Sequence, residues 1–178
     1  MLIRIKKIDF SLAFIRLFLN IKFKMANYIT SFKKDDKAPD FKGKDQDGNV
    51  ISLKNFKGKK LVIYFYPKDD TPGCTAEACD LRDNYSALKS KGYAIVGISA
   101  DDENKHKKFI EKYKLPFPLI ADIDKKIIKA YDVWGKKKFM GKVYDGIVRT
   151  TFVIDEKAEI ENVISKVDTK NHAQQILN

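Results

Sequence analysis

From Lys37 onward, the apolar positions of this 178-residue chain gather into short runs with sharp ends. Residues 61–66 (LVIYFY) are apolar throughout and rich in β-branched and aromatic side chains, which predicts a strand buried on both faces. Residues 93–99 (YAIVGIS) predict a second such strand, and residues 117–122 (FPLIAD) a shorter one. Residues 38–53 read as two short strands around Asp47-Gly48, a strong hairpin dipeptide. Residues 147–155 (IVRTTFVID) and 159–167 (EIENVISKV) read as a closing hairpin turned at residues 155–157. Between these runs the pattern is helical: from Thr71 to about Ser90 with a stop near Gly92, across residues 101–113 and 125–131, and from about Asn171. The sequence carries no internal repeat and no low-complexity tract.

Strand, helix, strand, helix, strand is the pattern of parallel crossover units, and the closing hairpin adds antiparallel strands. A mixed central sheet with helices on both faces closes such a chain. The expected fold is therefore an α/β, thioredoxin-like three-layer sandwich with an N-terminal β-hairpin extension. Its length suits one well-packed domain.

Charge changes the picture only at the N-terminus. The net charge of +11 suggests nucleic acid at first sight. Residues 1–24 hold six Lys/Arg against the single acid Asp9, however, and the rest of the chain carries 29 bases against 23 acids. The remaining lysines stand in short runs such as 107–108, 125–126 and 136–138, with no Arg-rich helix or basic stripe interleaved with aromatics. They read as solvated faces, so no nucleic-acid partner is expected. The leader MLIRIKKIDFSLAFIRLFLNIKFK is broken by Arg16 and Asn20, which leaves it too interrupted for a membrane span. Two other readings are a basic amphipathic or organellar targeting segment, and an extension ahead of a working start at Met25. The second is favoured. Residues 1–28 are accordingly taken as an extension and 29–178 as the domain, with a cytoplasmic location and no stable membrane association expected.

Chemistry is concentrated in PKDDTPGCTAEACD, residues 67–80, which holds both cysteines, Cys74 and Cys79. Two cysteines are too few for a secreted disulfide scaffold. Thr71 fits a helix N-cap and Pro72 the first helical position, so Cys74 falls in the first turn. Unpaired backbone N–H groups and the positive end of the helix dipole there favour thiolate over thiol. Cys79 lies a turn deeper, without that help. The Pro-Gly helix start argues against an inert core role for Cys74. Zinc needs a second ligand pair, and the only histidines, His106 and His172, lie far apart in the chain. A disulfide-shuffling dithiol normally uses C-x-x-C, which is absent. What survives is a nucleophilic thiol, Cys74, with a resolving partner, Cys79.

The string YPKDDTPGCTAEACDLRD resembles the active-site stretch of the peroxiredoxins, closest to their Q-type or bacterioferritin-comigratory-protein branch. Pro67, Thr71 and Cys74 stand as P-x-x-x-T-x-x-C, and Cys79 stands where this branch often carries its resolving cysteine. Residues 133–155 (VWGKKKFMGKVYDGIVRTTFVID) also resemble the family, with Arg149 at the position of its site arginine. The resemblance implies thiol-dependent reduction of hydrogen peroxide and organic hydroperoxides without metal or organic cofactor. It also implies an intramolecular Cys74–Cys79 disulfide, thioredoxin as reductant, and a monomer or weak dimer. By the same resemblance, Thr71 accepts a bond from the peroxide while donating to the thiolate. Arg149 stabilises the thiolate and the departing oxygen, and Pro67 covers the pocket. The Gly73 and Cys74 N–H groups bind substrate, and Glu77 orients Arg149. Tyr64, Phe65 and Tyr66 are expected in the core, and Trp134 is expected as a packing anchor at a helix end. A redox-regulated binding protein or a disulfide isomerase would show no peroxide turnover.

Overall fold

The computed structural model describes residues 28–139 and 141–178; the expectations about residues 1–24 lie outside them. A central sheet forms from β3 (Lys60–Phe65), β4 (Tyr93–Ser99), β5 (Leu119–Ala121), β8 (Thr150–Ile154) and β9 (Ile160–Ile164), in the order β5-β4-β3-β8-β9. β3, β4 and β5 run parallel; β8 is antiparallel to β3 and to β9. The expected mixed sheet is therefore present. The hairpin β1 (Lys42–Lys44) and β2 (Val50–Ser52) precedes it, turning through Gly48 at φ 82°.

Continuous hydrophobicity in β3 follows from burial on both faces. Leu61, Ile63 and Phe65 point to one side and pack with Phe41, Ile127, Ile128 and Tyr131. Val62, Tyr64 and Tyr66 point to the other and pack with Ala78, Leu81, Leu88, Phe109 and Ile176. All six are fully buried, each such side chain being worth about 1.5–3 kcal/mol. The second face is covered by α1 (Pro72–Asp83), α2 (Tyr85–Ser90), α5 (His172–Leu177) and Phe109 of α3 (Glu103–Tyr113); the first is covered by α4 (Lys126–Ala130) and the N-terminal segment. Three layers result, as the periodicity predicts.

Two local expectations are corrected. The helix predicted from Thr71 to Ser90 is two helices. At Asn84 the backbone leaves helical geometry (φ −101°, ψ 10°), and the side-chain amide donates to the Asp80 carbonyl at 2.9 Å. Trp134 does not end a helix. It opens β6 (Trp134–Phe139), which pairs with β7 (Lys142–Ile147) in a two-stranded ribbon absent from the hydrophobic pattern. Its ring still packs against the core, as expected of an anchor, under the Lys125 ammonium. Tyr28 and Ser31 bond to the Asp132 carboxylate, which ties the start of the described chain to the end of α4.

Candidate active site

The chain leaves the carboxyl end of β3 through residues 67–71 and enters α1 with Thr71 at the N-cap and Pro72 at the first helical position. Buried anchors hold this loop. Asp69 accepts from Tyr66 Oη at 2.7 Å and contacts His106 Nδ1 at 2.7 Å, and its own N–H donates to Asp101 at 2.9 Å. The neighbouring Asp70 adopts φ 53° and is held by Lys112 Nζ (2.7 Å) and Tyr113 Oη (2.6 Å). An aspartate tolerates the left-handed region better than most residues.

On α1 the buried positions are Cys74, Glu77, Ala78 and Leu81. That i, i+3, i+4, i+7 stripe puts Cys74 and Glu77 one turn apart on the face toward the sheet. Antiparallel pairing supplies their partner. Phe65, the last residue of β3, is opposite Thr150, the first of β8. Arg149, one residue before Thr150, therefore arrives where the chain turns from β3 into α1.

There Arg149 Nη2 donates to Cys74 Sγ at 3.1 Å, and Nη1 donates to Glu77 Oε2. Cys74 is 1% exposed, and Glu77 and Arg149 carry side-chain exposures of 0% and 21%. Gly73 lies directly beneath the guanidinium: a Cβ there would stand 3.4 Å from Nη2. Burial pushes the Glu77 carboxyl up to about 7, against the pull of Arg149. Its second oxygen, Oε1, has no hydrogen-bond partner among the described residues, and His172 Nε2 is 3.7 Å away. Burial also works against the Arg149 charge, but Glu77 and Cys74 outweigh it and Arg149 is shifted up. The two shifts pull the pair in opposite senses. The guanidinium contact decides, because an arginine stays charged and holds Glu77 ionised from neutral pH upward.

Thr71 is half-buried beside this centre, and its hydroxyl does not cap the helix. It donates to the Lys68 carbonyl at 3.0 Å. With its single hydrogen committed there, the expected bond from Thr71 to the thiolate is not formed; lone pairs are what it offers. Pro67 is half-buried in the same loop, and the first-turn N–H groups of Gly73 and Cys74 have no intrahelical partner.

Cys79 is a free thiol, as is Cys74, and lies off the buried stripe of α1 at intermediate exposure. Arg82, near enough for Cys79 to act on it electrostatically, donates to the Tyr113 carbonyl at 2.7 Å. Sequence reasoning also missed His172. Its Nε2 meets Thr151 Oγ1 at 2.9 Å, its Nδ1 meets Gln175 Oε1 at 3.2 Å, and burial shifts its pKa down, keeping the ring neutral. No periodicity marks a histidine at the start of a short terminal helix as a neighbour of Glu77. Among the described residues no cluster of three or more His, Cys, Asp or Glu could hold a metal, and no helix is long and apolar enough to cross a membrane.

The structure thus holds a buried thiol in the first turn of a helix, bonded to an arginine that is itself bonded to a carboxylate. The family description AhpC/TSA matches residues 35–163. The chain belongs to the AhpC/TSA family. It is 47% identical over 146 residues to Peroxiredoxin Bcp of Escherichia coli (strain K12), covering 82% of this chain and 94% of that one. It is 46% identical over 141 residues to Peroxiredoxin Bcp of Bacillus subtilis (strain 168), covering 79% and 90%. Among solved structures, Xanthomonas campestris Peroxiredoxin Q superposes with a TM-score of 0.72 at 35% identity, covering 77% of this chain and 87% of that one. A cysteine-to-serine mutant of Xylella fastidiosa PrxQ gives a TM-score of 0.78 at 27% identity, covering 84% and 96%. Because these relatives are matched over nearly their whole length, the likeness reaches beyond the fold to the complete domain. The chain is a peroxiredoxin of the Q/Bcp kind, an antioxidant thiol-dependent peroxidase with a thioredoxin-like fold.

Proposed function

We propose that this peroxiredoxin reduces hydrogen peroxide and organic hydroperoxides at Cys74, forms a disulfide with Cys79, and is returned to the dithiol by thioredoxin. The observation that carries the reading is the 3.1 Å bond from Arg149 Nη2 to Cys74 Sγ at the start of α1. A cation and a helix N-terminus converge on one buried sulfur, the setting in which reactive cysteines are found. Organic hydroperoxides enter the proposal because a similar solved structure, the bacterioferritin comigratory protein of Xanthomonas campestris, is described for its alkyl peroxide reduction activity.

In the proposed first step the Cys74 thiolate attacks the terminal oxygen of the peroxide. The S–O bond forms, the O–O bond breaks, and the second oxygen leaves as hydroxide or alkoxide that takes a proton from water. Sulfur is oxidised to sulfenic acid as the peroxide is reduced. Arg149 stabilises the thiolate and then the charge on the departing oxygen. The Gly73 and Cys74 N–H groups and the Thr71 lone pairs bind the peroxide, while Pro67 limits water. Cys79 then attacks the sulfenic sulfur, expels water and leaves the disulfide.

Stopped-flow oxidation of the reduced protein by hydrogen peroxide and by cumene hydroperoxide tests the reading. Cys74→Ser is expected to abolish oxidation. Cys79→Ser is expected to react once, leave a sulfenic acid trappable by dimedone, and fail in thioredoxin-linked turnover. Equal loss of the first oxidation step in both variants would overturn the assignment.

A further inference from the structure

The lysine run 136–138 reads in the sequence as a solvated face, and the structure divides it. Lys136 is exposed and paired with Asp145 across the ribbon at 2.8 Å. Lys137 turns to the opposite side, as successive strand residues must, and is half-buried. Its ammonium donates to the Ile147 carbonyl at 2.8 Å, two residues before Arg149. The lysine stem packs over Gly146, where a Cβ would approach its Cδ to 3.3 Å, and Tyr144 lies opposite it in the register. Among the described residues no carboxylate lies within ion-pair distance of Lys137. Arg149 and Cys74 are the groups that act on it electrostatically.

A half-buried ammonium placed beside an arginine, without a carboxylate, is costly unless another anion is present. At this site the Glu77 carboxylate is already bonded to Arg149. The remaining group able to carry negative charge is Cys74, as the thiolate of the proposed reaction. We propose that Lys137 is the second cation of the peroxide site, held by the Ile147 carbonyl where it acts through space with Arg149 on the Cys74 thiolate, so that the ribbon β6–β7 sets the reactivity of a cysteine on another element. The inference rests on the reading of Cys74 as the nucleophile.

Two consequences follow for the chemistry. With Lys137 present, the thiolate form of the cluster is electrically balanced: Arg149 and Lys137 against Glu77 and Cys74. In the step written above, the negative charge passes from sulfur to the departing oxygen, and the same two cations remain beside it until water protonates it. Lys137 thus acts on the reacting atoms through the field it supplies and through its hold on the segment that carries Arg149. Burial first, then Arg149, shifts the Lys137 pKa down, while Cys74 opposes the shift. The Ile147 carbonyl and Cys74 favour an ammonium so placed, and burial and Arg149 oppose it.

The test compares Lys137→Gln, Lys137→Met and Lys137→Arg in the full-length chain, with Lys136→Met as the control. Two quantities are measured: the stopped-flow rate of oxidation by hydrogen peroxide, and the pH profile of Cys74 alkylation by iodoacetamide in a Cys79→Ser background. The groups facing the thiol in that titration are Arg149 and Lys137, with Glu77 behind Arg149 and the buried Tyr64 phenol. Glutamine keeps a donor for the Ile147 carbonyl but has no charge. It is expected to slow oxidation about tenfold and to move alkylation to higher pH. Methionine is expected to do at least as much, arginine to restore most of the wild-type behaviour, and Lys136→Met to change nothing. Wild-type rate and an unshifted profile in Lys137→Gln would reduce the lysine to a tether and overturn the proposal. Alkylation needs no peroxide, so it judges Lys137 separately from the peroxidase reading. Should wild type fail to consume peroxide, that reading fails by itself.

Discussion

The carboxylate of Asp80, the residue after Cys79, accepts a hydrogen bond from the backbone N–H of Ala173 at 2.7 Å. It thereby supplies a cap to α5, which begins at His172 and otherwise has no side-chain cap. The helix carrying both cysteines is fastened to the C-terminal helix at this point, and to α3 through Arg82 and the Tyr113 carbonyl at 2.7 Å.

These fastenings bear on the spacing of the cysteines. Cys74 and Cys79 lie on one continuous helix, α1. Residues five apart on an α-helix have Cα atoms ~8.7 Å apart, and a disulfide cannot bridge more than about 7 Å without backbone movement. The proposed Cys74–Cys79 disulfide therefore requires α1 to unwind between the two cysteines, next to the Asp80 fastening. Hydrogen exchange is expected to show lost protection across residues 71–80 in the disulfide form while β3, β4 and β8 stay protected. Equal protection in the two forms, with the disulfide confirmed by mass, would defeat this prediction.

Asp80→Ala removes the fastening directly. It is expected to destabilise the reduced protein by about 1 kcal/mol, the usual cost of a lost cap, and to speed conversion of sulfenic acid to disulfide. The initial peroxide rate should hold, because Asp80 is not bonded to the Cys74–Arg149–Glu77 group. Thermal melts and the second phase of a stopped-flow trace read the two effects separately.

Arg149→Met removes the guanidinium 3.1 Å from Cys74 Sγ and leaves Glu77 without its partner. Oxidation by peroxide is expected to fall about a hundredfold, and alkylation of Cys74 at neutral pH to slow as well. If alkylation kept its wild-type rate and pH profile, the arginine would not be acting on the thiolate.

Glu77 makes stability depend on pH in a definite direction. Burial raises its pKa from 4.5 to about 7, so between those values the folded protein holds a proton that the unfolded chain releases. This contribution is fully present below about 4.5 and is lost as pH rises through about 7. Its full span is under about 4 kcal/mol at 1.36 kcal/mol per unit. Wild type should therefore lose melting temperature relative to Glu77→Gln between pH 5 and pH 8. A constant difference between the two proteins across that range would contradict the shift.

The family match starts at residue 35, and the contacts of Tyr28 and Ser31 with Asp132 come just before it. A chain starting at Met25 retains all of these. It is expected to fold, melt and turn over peroxide as the full-length protein does. Insolubility or inactivity of that shortened chain would make residues 1–24 part of the domain.

Local order in the sequence was enough for the strands of the central sheet, the first hairpin and the helix start that exposes Cys74 to unpaired N–H groups. Each depends on a period of two or 3.6, or on neighbours such as Thr71-Pro72, and such signals are complete within a few residues. Glu77 is placed beside the thiol by the family resemblance alone, and the buried stripe Cys74, Glu77, Ala78, Leu81 becomes visible only in the structure. What the tertiary structure decided is which distant groups meet there. Arg149 reaches Cys74 because β3 pairs antiparallel with β8 and puts Phe65 opposite Thr150; no property of the segment around Arg149 specifies that register. The ribbon β6–β7 left no trace in the hydrophobic pattern because much of it is lysine and its second strand is largely exposed. Of three consecutive lysines, only the pleat and the position of the ribbon distinguish Lys136, facing solvent, from Lys137, half-buried and bonded to the Ile147 carbonyl. His172 and Asp80 likewise gain their neighbours from the packing of α5 against α1. Charges carry no periodic signal, and their partners are set by contacts between elements far apart in the chain.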